Sequence, residues 1–387
     1  MTESVGTAIA VTSNREPGEL RVKSGSITML GLFDVAFAID LARVEALWAR
    51  QARPASSRLR FSATPPKAVA FGVPPVALIL DTLDLDLEGG ETVTAIVTAR
   101  IYDFGVVTLA VRVGGAGLTW AEYSRLLNRV DRALGAESES PLWSRLLESL
   151  TEPLHEALIR PARSTLREDY LFGVVHSFSE PMPAAALVDT VDLVPLLTGE
   201  QRPLSPGARH DLLSHRFSYY EDDLVVLAWD RAFIYEPRGD SDVADVLEVA
   251  NAQLLEMRYY DELLDAELPR MYALVQDARR HWNLFAPRRY ADLARRLYRL
   301  VAEVTELTEK VDNALQVTED VYLARIYAEA LDLYRVPTVS AAVDRKLAII
   351  RDTYAALYDE ASSSRAGLME MSVIILILVE IVLALIH

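Results

Sequence analysis

Hydrophobic and polar residues alternate over much of the first 238 positions, and this period of two predicts strands. The longest such stretch runs from Thr92 to Val113, with Asp103-Phe104-Gly105 as a turn between two strands. Helices are predicted over about 34–49, from a capping box at Thr119 and Glu122 to Leu134, and over about 141–159. Other strands are predicted over Ile27–Phe33, Leu59–Phe61, Val76–Leu80, Tyr170–Phe178, Leu224–Trp229 and Ala232–Glu236. This mixture indicates an α+β domain over residues 27–238, after a flexible lead-in of residues 1–26.

Beyond residue 239 the period lengthens to about 3.5 residues, which is typical of long helices that pack along a seam. The first seam runs from Val243 to Val275, where Pro269 predicts a kink or a break. A shorter helix is expected over Val321–Tyr334, closed by Pro337. Residues 239–361 are therefore predicted to form a bundle of antiparallel, coiled-coil-like helices, with further seams over Leu293–Ala314 and Val343–Ala361. Such seams pack within one chain or between chains, and we expect both.

The C-terminal segment is the most apolar part of the sequence. Met371 to Ile386 contain twelve Ile, Leu or Val residues, and Glu380 is the only charged residue among them. Each of these residues favours membrane insertion by about 0.3 to 0.6 kcal/mol, against a cost of about 2.5 to 3.5 kcal/mol for the acid. A buried core helix is the alternative, but no chain follows to pack over it. We therefore predict one transmembrane helix over residues 366–387, long enough to cross a core of about 30 Å.

Composition and charge limit the classes of function. Among the 387 residues, hydrophobic and charged fractions of 51% and 25% are ordinary for a globular body, and there is no cysteine for disulfides or thiolate sites. A net charge of −17 argues against direct nucleic-acid binding. Basic residues precede the predicted span and the N-terminus resembles no signal peptide. We expect a cytoplasmic body on the inner membrane, with the C-terminus on the far side.

No set of residues in the sequence predicts catalysis. GxSxG, HExxH and kinase motifs do not occur, and the six histidines are scattered. Asp84 to Gly89 resembles the start of a calcium loop, but Ala95 stands where a bidentate Glu is needed, and the alternating leucines indicate a strand. The Gly114–Gly117 loop lacks the Lys of a phosphate-binding loop. We therefore predict no catalytic residue, no cofactor and no metal.

One stretch of the first long helix, from Asn251 to Glu262, is dense in polar and aromatic groups. It fits a solvated helix face with Asp261 as a polar residue that sets the register. It also fits a contact surface between this helix and the α+β domain. The residues of that predicted surface are Gln253, Glu256, Arg258, Tyr259, Tyr260 and Asp261.

Glu380 needs an explanation, because a carboxyl group in the hydrocarbon region is costly. It could line a pore, form a hydrogen bond between anchors of an oligomer, or extend toward the far surface. Glu370 lies ten residues earlier, about 80° away on a regular helix. Arg365, Glu370 and Glu380 are thus predicted to belong to a membrane and oligomer interface.

The same residues resemble the C-terminal pattern of the required-for-meiotic-nuclear-division family, whose members end in Arg, Leu-Glu-Trp, an apolar run and a second Glu. Arg365, Glu370 and Glu380 match that spacing, whereas Met369 and Met371 replace the usual Leu and Trp. Upstream, the similarity extends to Ala250–Gln253, Leu323–Tyr334, Asp344–Leu347 and Tyr354–Leu357, so that it covers about residues 220–387.

The resemblance implies a membrane-anchored protein that forms large homo-oligomers and has no established enzymatic activity. Eukaryotic members lie in the mitochondrial inner membrane and support mitochondrial translation. This chain has no Arg- and Ser-rich transit peptide, and its composition suggests a bacterial relative.

The sequence thus favours a tail-anchored, self-associating scaffold without catalytic activity, whose partners are membrane lipid, further copies of the chain and an unidentified protein. A subunit of an ion channel is an alternative, since the layout resembles the large magnesium-channel family, although the Gly-Met-Asn motif and second span of that family are absent. A membrane-tethered enzyme with its site in the α+β domain is the third hypothesis.

Overall fold

The fold was analysed in a computed structural model that describes residues 20–51, 57–58, 69–136, 141–161, 166–200, 202–239, 242–280, 286–313, 315–317 and 320–386. Its strands are β1 (Val22–Asp34), β2 (Ala36–Ile39), β3 (Ser57–Arg58), β4 (Val69–Phe71), β5 (Val76–Leu87), β6 (Glu91–Ile101), β7 (Val106–Gly114), β8 (Leu158–Pro161), β9 (Arg167–Phe178), β10 (Arg216–Phe217), β11 (Leu224–Leu227), β12 (Arg231–Tyr235) and β13 (Leu315–Val317).

The helices fall into a group of short ones and a group of longer ones. Those in the first 214 residues are α1 (Leu41–Ala49), α2 (Trp120–Leu134), α3 (Leu142–Thr151), α4 (Ala184–Thr190), α5 (Val194–Thr198) and α6 (Pro206–Ser214). Those that follow are α7 (Val243–Arg280), α8 (Ala286–Asp312), α9 (Val321–Leu333) and α10 (Val336–Ile386).

Nine strands form one large sheet in the order β10-β11-β12-β9-β1-β7-β6-β5-β3. Every pairing in this sheet is antiparallel except that of β12 with β9, which is parallel. Strand β1 pairs along most of its length with β7 on one side and with β9 on the other. The pairing with β7 starts with Ser26 opposite Gly114, and the pairing with β9 starts with Val22 opposite Phe178.

The sheet is covered on both faces, and each face has its own hydrophobic core. On one face the core is formed with α1 to α5, and Trp48, Tyr123 and Trp143 are among its fully buried side chains. On the other face α7 to α10 pack, with Tyr260 and Tyr334 among the buried aromatic residues. The prediction of an α+β domain with long helices after it is confirmed.

Helices α7, α8 and α10 form an arm that leads away from the sheet. Helix α10 starts at the sheet, where the ring of Tyr334 lies 5.4 Å from that of Tyr170 in β9. Along the arm, Lys346 Nζ of α10 lies 2.6 Å from a carboxylate oxygen of Asp261 in α7, and the rings of Tyr298 in α8 and Tyr354 in α10 are 5.9 Å apart. Counting residues from these contacts along regular helices places the end of α7 and the start of α8 at the level of about residue 365 of α10.

Two predicted helices near the β2–β8 pair are shorter than expected. The helix predicted over about 34–49 begins only at Leu41, and the one predicted over about 141–159 ends at Thr151. The missing segments, β2 and β8, pair with each other antiparallel, from Ala36 opposite Pro161 to Ile39 opposite Leu158. Strand pairing between distant segments thus overrides the local helical pattern. The predicted strand Leu59–Phe61 lies outside the described residues.

The helix bounds test both predictions that rested on proline in the helical region. Helix α7 continues through Pro269, so a break there is wrong, whereas the alternative of a kink stays a prediction. Pro337 does not close the helix that precedes it, since α9 has already ended at Leu333 and Arg335 adopts a positive φ of 57°. Pro337 instead lies in the first turn of α10, where the missing N–H has no helical acceptor to lose.

Among the described residues, no helix is long and apolar enough to cross a membrane. The predicted transmembrane helix over residues 366–387 is therefore not supported by this part of the chain. The backbone of residues 366–386 continues α10, and most side chains of this segment lie outside the described residues.

Candidate functional site

The first turns of α7 lie on the sheet, and several of their buried side chains are polar. The helix presents Val243, Leu247 and Ala250 to the core, as its apolar seam predicts. Glu248 and Glu256 on the same helix are also buried, 4% and 2% exposed. Because a buried charge is costly unless it is paired, the partners of these groups determine what the interface can do.

The six residues of the predicted contact surface lie at several different contacts of α7. Arg258 pairs with Glu168 of β9, and Tyr260 donates a hydrogen bond to Glu256 on the same helix. Gln253 Oε1 accepts a hydrogen bond of 2.8 Å from Tyr327 of α9. The structure thus brings part of this stretch to the sheet and part to the neighbouring helices.

Tyr259 and Asp261 complete this surface. Tyr259 is half-buried beside Tyr260, with ring centroids 5.6 Å apart. Asp261 accepts a hydrogen bond of 2.6 Å from Lys346, which also lies 2.6 Å from Asp265. This pairing joins α7 to α10 rather than to the α+β domain.

An acidic pair lies where β1 ends beneath α7. Burial raises the pKa of Asp34 to about 7, and burial and then the charge of Asp34 raise the pKa of Glu256 well above its usual range. Asp34 Oδ2 and Glu256 Oε1 have no hydrogen-bond partner among the described residues. A proton held by the pair would reduce the cost of burying two like charges.

A second buried cluster joins the start of α7 to β6. The guanidinium of Arg100 lies 2.6 Å from Asp245 and 2.7 Å from Glu248, and Tyr102 donates a hydrogen bond of 2.9 Å to Glu248. Burial raises the pKa of Glu248, and the charge of Arg100 opposes that rise. This network anchors the first two turns of α7 on the sheet.

Beside that cluster is a polar cavity of about 250 Å³, open on one side. Its floor consists of side chains from β6, β7, β1, β9 and β12, and the first turns of α7 form one wall. The polar residues that line it are Ser26, Thr28, Thr98, Arg100, Thr108, Arg112, His176, Glu236, Asp245 and Glu248. We call it the sheet cavity. Among the described residues, no group of three or more acidic or histidine side chains is arranged to hold a metal ion.

The predicted interface residues Arg365, Glu370 and Glu380 lie on α10. Their side chains are outside the described residues. Near them, Val373, Ile374, Leu376 and Ile377 are 50% to 67% exposed.

Sequence reasoning missed Arg100, Arg112 and Asp34. A signal existed for the first two, since Thr98 and Arg100 alternate on one side of β6, and Thr108, Ala110 and Arg112 do the same on β7. Charged and hydroxyl side chains at alternate positions are unusual on the side of a strand that packs against a helix. Asp34 gave no such signal, because its burial depends on where α7 crosses β1.

Comparisons with known proteins place the first part of the chain. The family of the N-terminal domain of uncharacterized protein MJ0711 matches residues 24–242, which end where α7 begins. An uncharacterized protein of the same designation from Methanocaldococcus jannaschii is 25% identical over 194 residues, 50% of this chain and 58% of the relative. The chain therefore matches just over half the length of this curated relative. No solved structure matches the chain.

Proposed function

The chain belongs to the family of the MJ0711 N-terminal domain, a family without an assigned activity, and on this premise we propose that it is a self-associating scaffold held at a membrane by its C-terminal helix. In this proposal the sheet domain is the part that contacts partners. The arm of helices sets its distance from the lipid surface.

The observation that carries this proposal is the course of α10. This helix of 51 residues is about 76 Å long, and it begins in the core against the sheet, where Val336, Val343 and Ile350 are buried. Its last 20 or so residues, about 30 Å, extend past the ends of α7 and α8. A rigid helix that is rooted in the body and ends in an apolar segment supports membrane attachment.

The exposed aliphatic residues of α10 support the same conclusion. Val373 and Ile374 are both 53% exposed, Leu376 is 67% exposed and Ile377 is 50% exposed. Four neighbouring side chains of this size lose contact with water favourably, at about 25 cal/mol per Å² of apolar area. Lipid can cover all sides of such a helix at once.

Self-association is supported by an aromatic groove on the arm. Tyr298, Tyr354 and Tyr358 surround it together with Ala294 and Arg295. Tyr298 and Tyr358 are 61% and 60% exposed. Tyrosine is enriched at protein–protein interfaces, so this exposure favours a contact with another protein. We propose that the corresponding groove of a second copy packs against it when anchors come together in the membrane.

We also propose that the chain is distantly related to the required-for-meiotic-nuclear-division family. The spacing of Arg365, Glu370 and Glu380 supports it, and so does the helical region that precedes them. On this basis we propose a large homo-oligomer whose body lies on the basic, cytoplasmic side of the anchor. A hydrogen bond of a protonated Glu380 between neighbouring anchors would lower the cost of placing this acid in lipid.

The mass of the detergent-solubilised full chain tests self-association. We expect a complex of several copies by light scattering, and a shift toward the 43.0 kDa monomer when Tyr354 and Tyr358 are both changed to Glu. Tyr272, 49% exposed on α7, provides the control, since Tyr272→Glu leaves the groove intact. A monomeric wild-type chain would contradict the proposal.

A further inference from the structure

The sheet cavity exists because α7 covers only part of its sheet face. Along β1 the residues on this side change from Ser26 and Thr28 to Leu30 and Leu32. Leu30 and Leu32 are buried in the core beneath the helices, whereas Ser26 is half-buried and lines the cavity. The hydroxyl groups at this end of the sheet face therefore belong to strand residues and not to a loop.

Arg112 is the unpaired cation of this cavity. It lies opposite Thr28 in the β1–β7 register, and its Nε is 3.4 Å from Thr28 Oγ1. It forms no ion pair with any described residue, in contrast to Arg100, whose guanidinium contacts both Asp245 and Glu248. A planar guanidinium beside hydroxyl groups is suited to bidentate recognition of an oxyanion.

Two further groups on the cavity wall have capacity for hydrogen bonds. His176 Nδ1 lies 2.9 Å from the carbonyl oxygen of Glu236, and because a carbonyl can only accept, Nδ1 carries the proton and the neutral ring keeps Nε2 as an acceptor. Thr108 is 1% exposed and its hydroxyl lies beside the carboxylate of Glu248, so its oxygen keeps the capacity to accept a hydrogen bond.

The cavity has two chemically different ends. Arg112 lies on β7, and His176 and Glu236 lie on β9 and just after β12. Three strand spacings separate β7 from β12, about 14 Å. One end thus offers a cation and hydroxyls, and the other offers an imidazole acceptor, which favours a ligand hydroxyl group as the donor.

We propose that the sheet cavity binds a small phosphorylated polyhydroxy compound, of the sugar phosphate or nucleoside monophosphate class. Its phosphate lies at Arg112 and accepts a hydrogen bond from Thr28. A hydroxyl group of the ligand donates to His176 Nε2. A cavity of about 250 Å³ suits a ligand of this size, and it is too small for a folded nucleic acid.

Calorimetric titration of the full chain in detergent with AMP and with ribose 5-phosphate tests this inference. We expect saturable binding of at least one of them, weakened tenfold or more by Arg112→Ala and several-fold by Thr28→Val, which keeps the shape of the side chain. Arg112→Lys keeps the charge but loses the planar fork, and we expect it to weaken binding as well. Arg125→Ala provides the matched control, because Arg125 is an exposed arginine on α2 outside the cavity.

Three outcomes would overturn the inference. The first is that neither compound binds. The second is that Arg112→Ala binds as tightly as the wild type while its thermal unfolding is unchanged. The third is that inorganic phosphate binds as tightly as both compounds, because the hydroxyl-recognising end would then contribute nothing. None of these results depends on the C-terminal helix, so the inference can fail or succeed independently of the proposed function.

Discussion

Asp34 and Glu256 place two carboxyl groups in the interface between β1 and α7, where burial makes a charge on either group costly. The surrounding groups offer little compensation. Tyr260 donates to Glu256, and burial raises the pKa of both Tyr259 and Tyr260, so that they stay neutral. The pair is therefore the point at which pH acts most directly on the contact between the sheet and the long helix.

Stability should fall as pH rises through this pair. The pKa of Asp34 is raised to about 7 in the folded chain from an ordinary value of 3.8, so the folded state holds a proton that the unfolded state releases. The free energy of unfolding then decreases by up to about 1.4 kcal/mol per pH unit between about pH 4 and 7. We expect Asp34→Asn to remove most of this slope in urea titrations of the full chain in detergent at pH 5 to 8.

A surface acid serves as the control for that measurement. Asp211 is exposed on α6, and Asp211→Asn should leave the pH slope of the wild type unchanged. If Asp34→Asn showed the same slope as the wild type, Asp34 would not hold the proton. The remaining dependence in Asp34→Asn reports on Glu256, whose pKa is also raised.

At this scale the sequence predicts types of residue but not their partners. The density of polar groups around Glu256 and Arg258 is visible in the sequence, and both prove to be in contact with other groups. Asp34 gives no signal in the sequence, and the partners of Arg100 cannot be predicted although polar side chains alternate along its strand. Their burial arises only when α7, more than 140 residues later in the chain, packs on them.

At the scale of single elements, local chemistry explains the starts of helices best. Thr119 and Glu122 form the predicted capping box: Thr119 Oγ1 accepts from the Glu122 N–H at 3.3 Å, and the Glu122 carboxylate accepts from the Thr119 N–H at 2.8 Å. This satisfies two backbone donors that the first turn of α2 would otherwise leave open.

Removing the cap should have a measurable but limited cost. We expect Thr119→Ala to lower the free energy of unfolding by about 1 kcal/mol, since the hydroxyl acceptor for the Glu122 N–H is lost. Thr119→Ser keeps that acceptor and should cost much less. Equal losses in the two variants, measured by the same urea titration, would show that the threonine methyl group and not the cap stabilises α2.

Strands and long helices were predictable where one local pattern dominates. The alternation from Thr92 to Val113 yields β6 and β7 with the turn at Gly105, whose φ of 105° favours glycine. The prediction fails where a distant partner decides, as in the β2–β8 pair. It also fails at Pro337, because a proline that ends one helix and a proline that starts the next look alike in sequence.

At the scale of the whole molecule, two packed layers of helices enclose one sheet, and one helix leaves the assembly. The nine-stranded sheet gives the body a rigid platform, and α7 and α10 are joined along the arm by the contacts of Lys346 with Asp261 and Asp265. The order of the strands was not predictable, since it depends on pairings between segments far apart in the chain. The direction of α10 out of the body is the feature from which the proposed function derives.

Flotation with liposomes tests that central claim most directly. The full chain and a chain ending at residue 365 are each mixed with anionic liposomes and centrifuged in a density gradient. A third protein, the full chain with Leu376→Asp and Ile377→Asp, tests the apolar segment without shortening the helix. We expect the full chain to float with the lipid after a carbonate wash, and the other two to remain at the bottom. If all three proteins stayed at the bottom, or all three floated alike, the C-terminal helix would not be the membrane anchor.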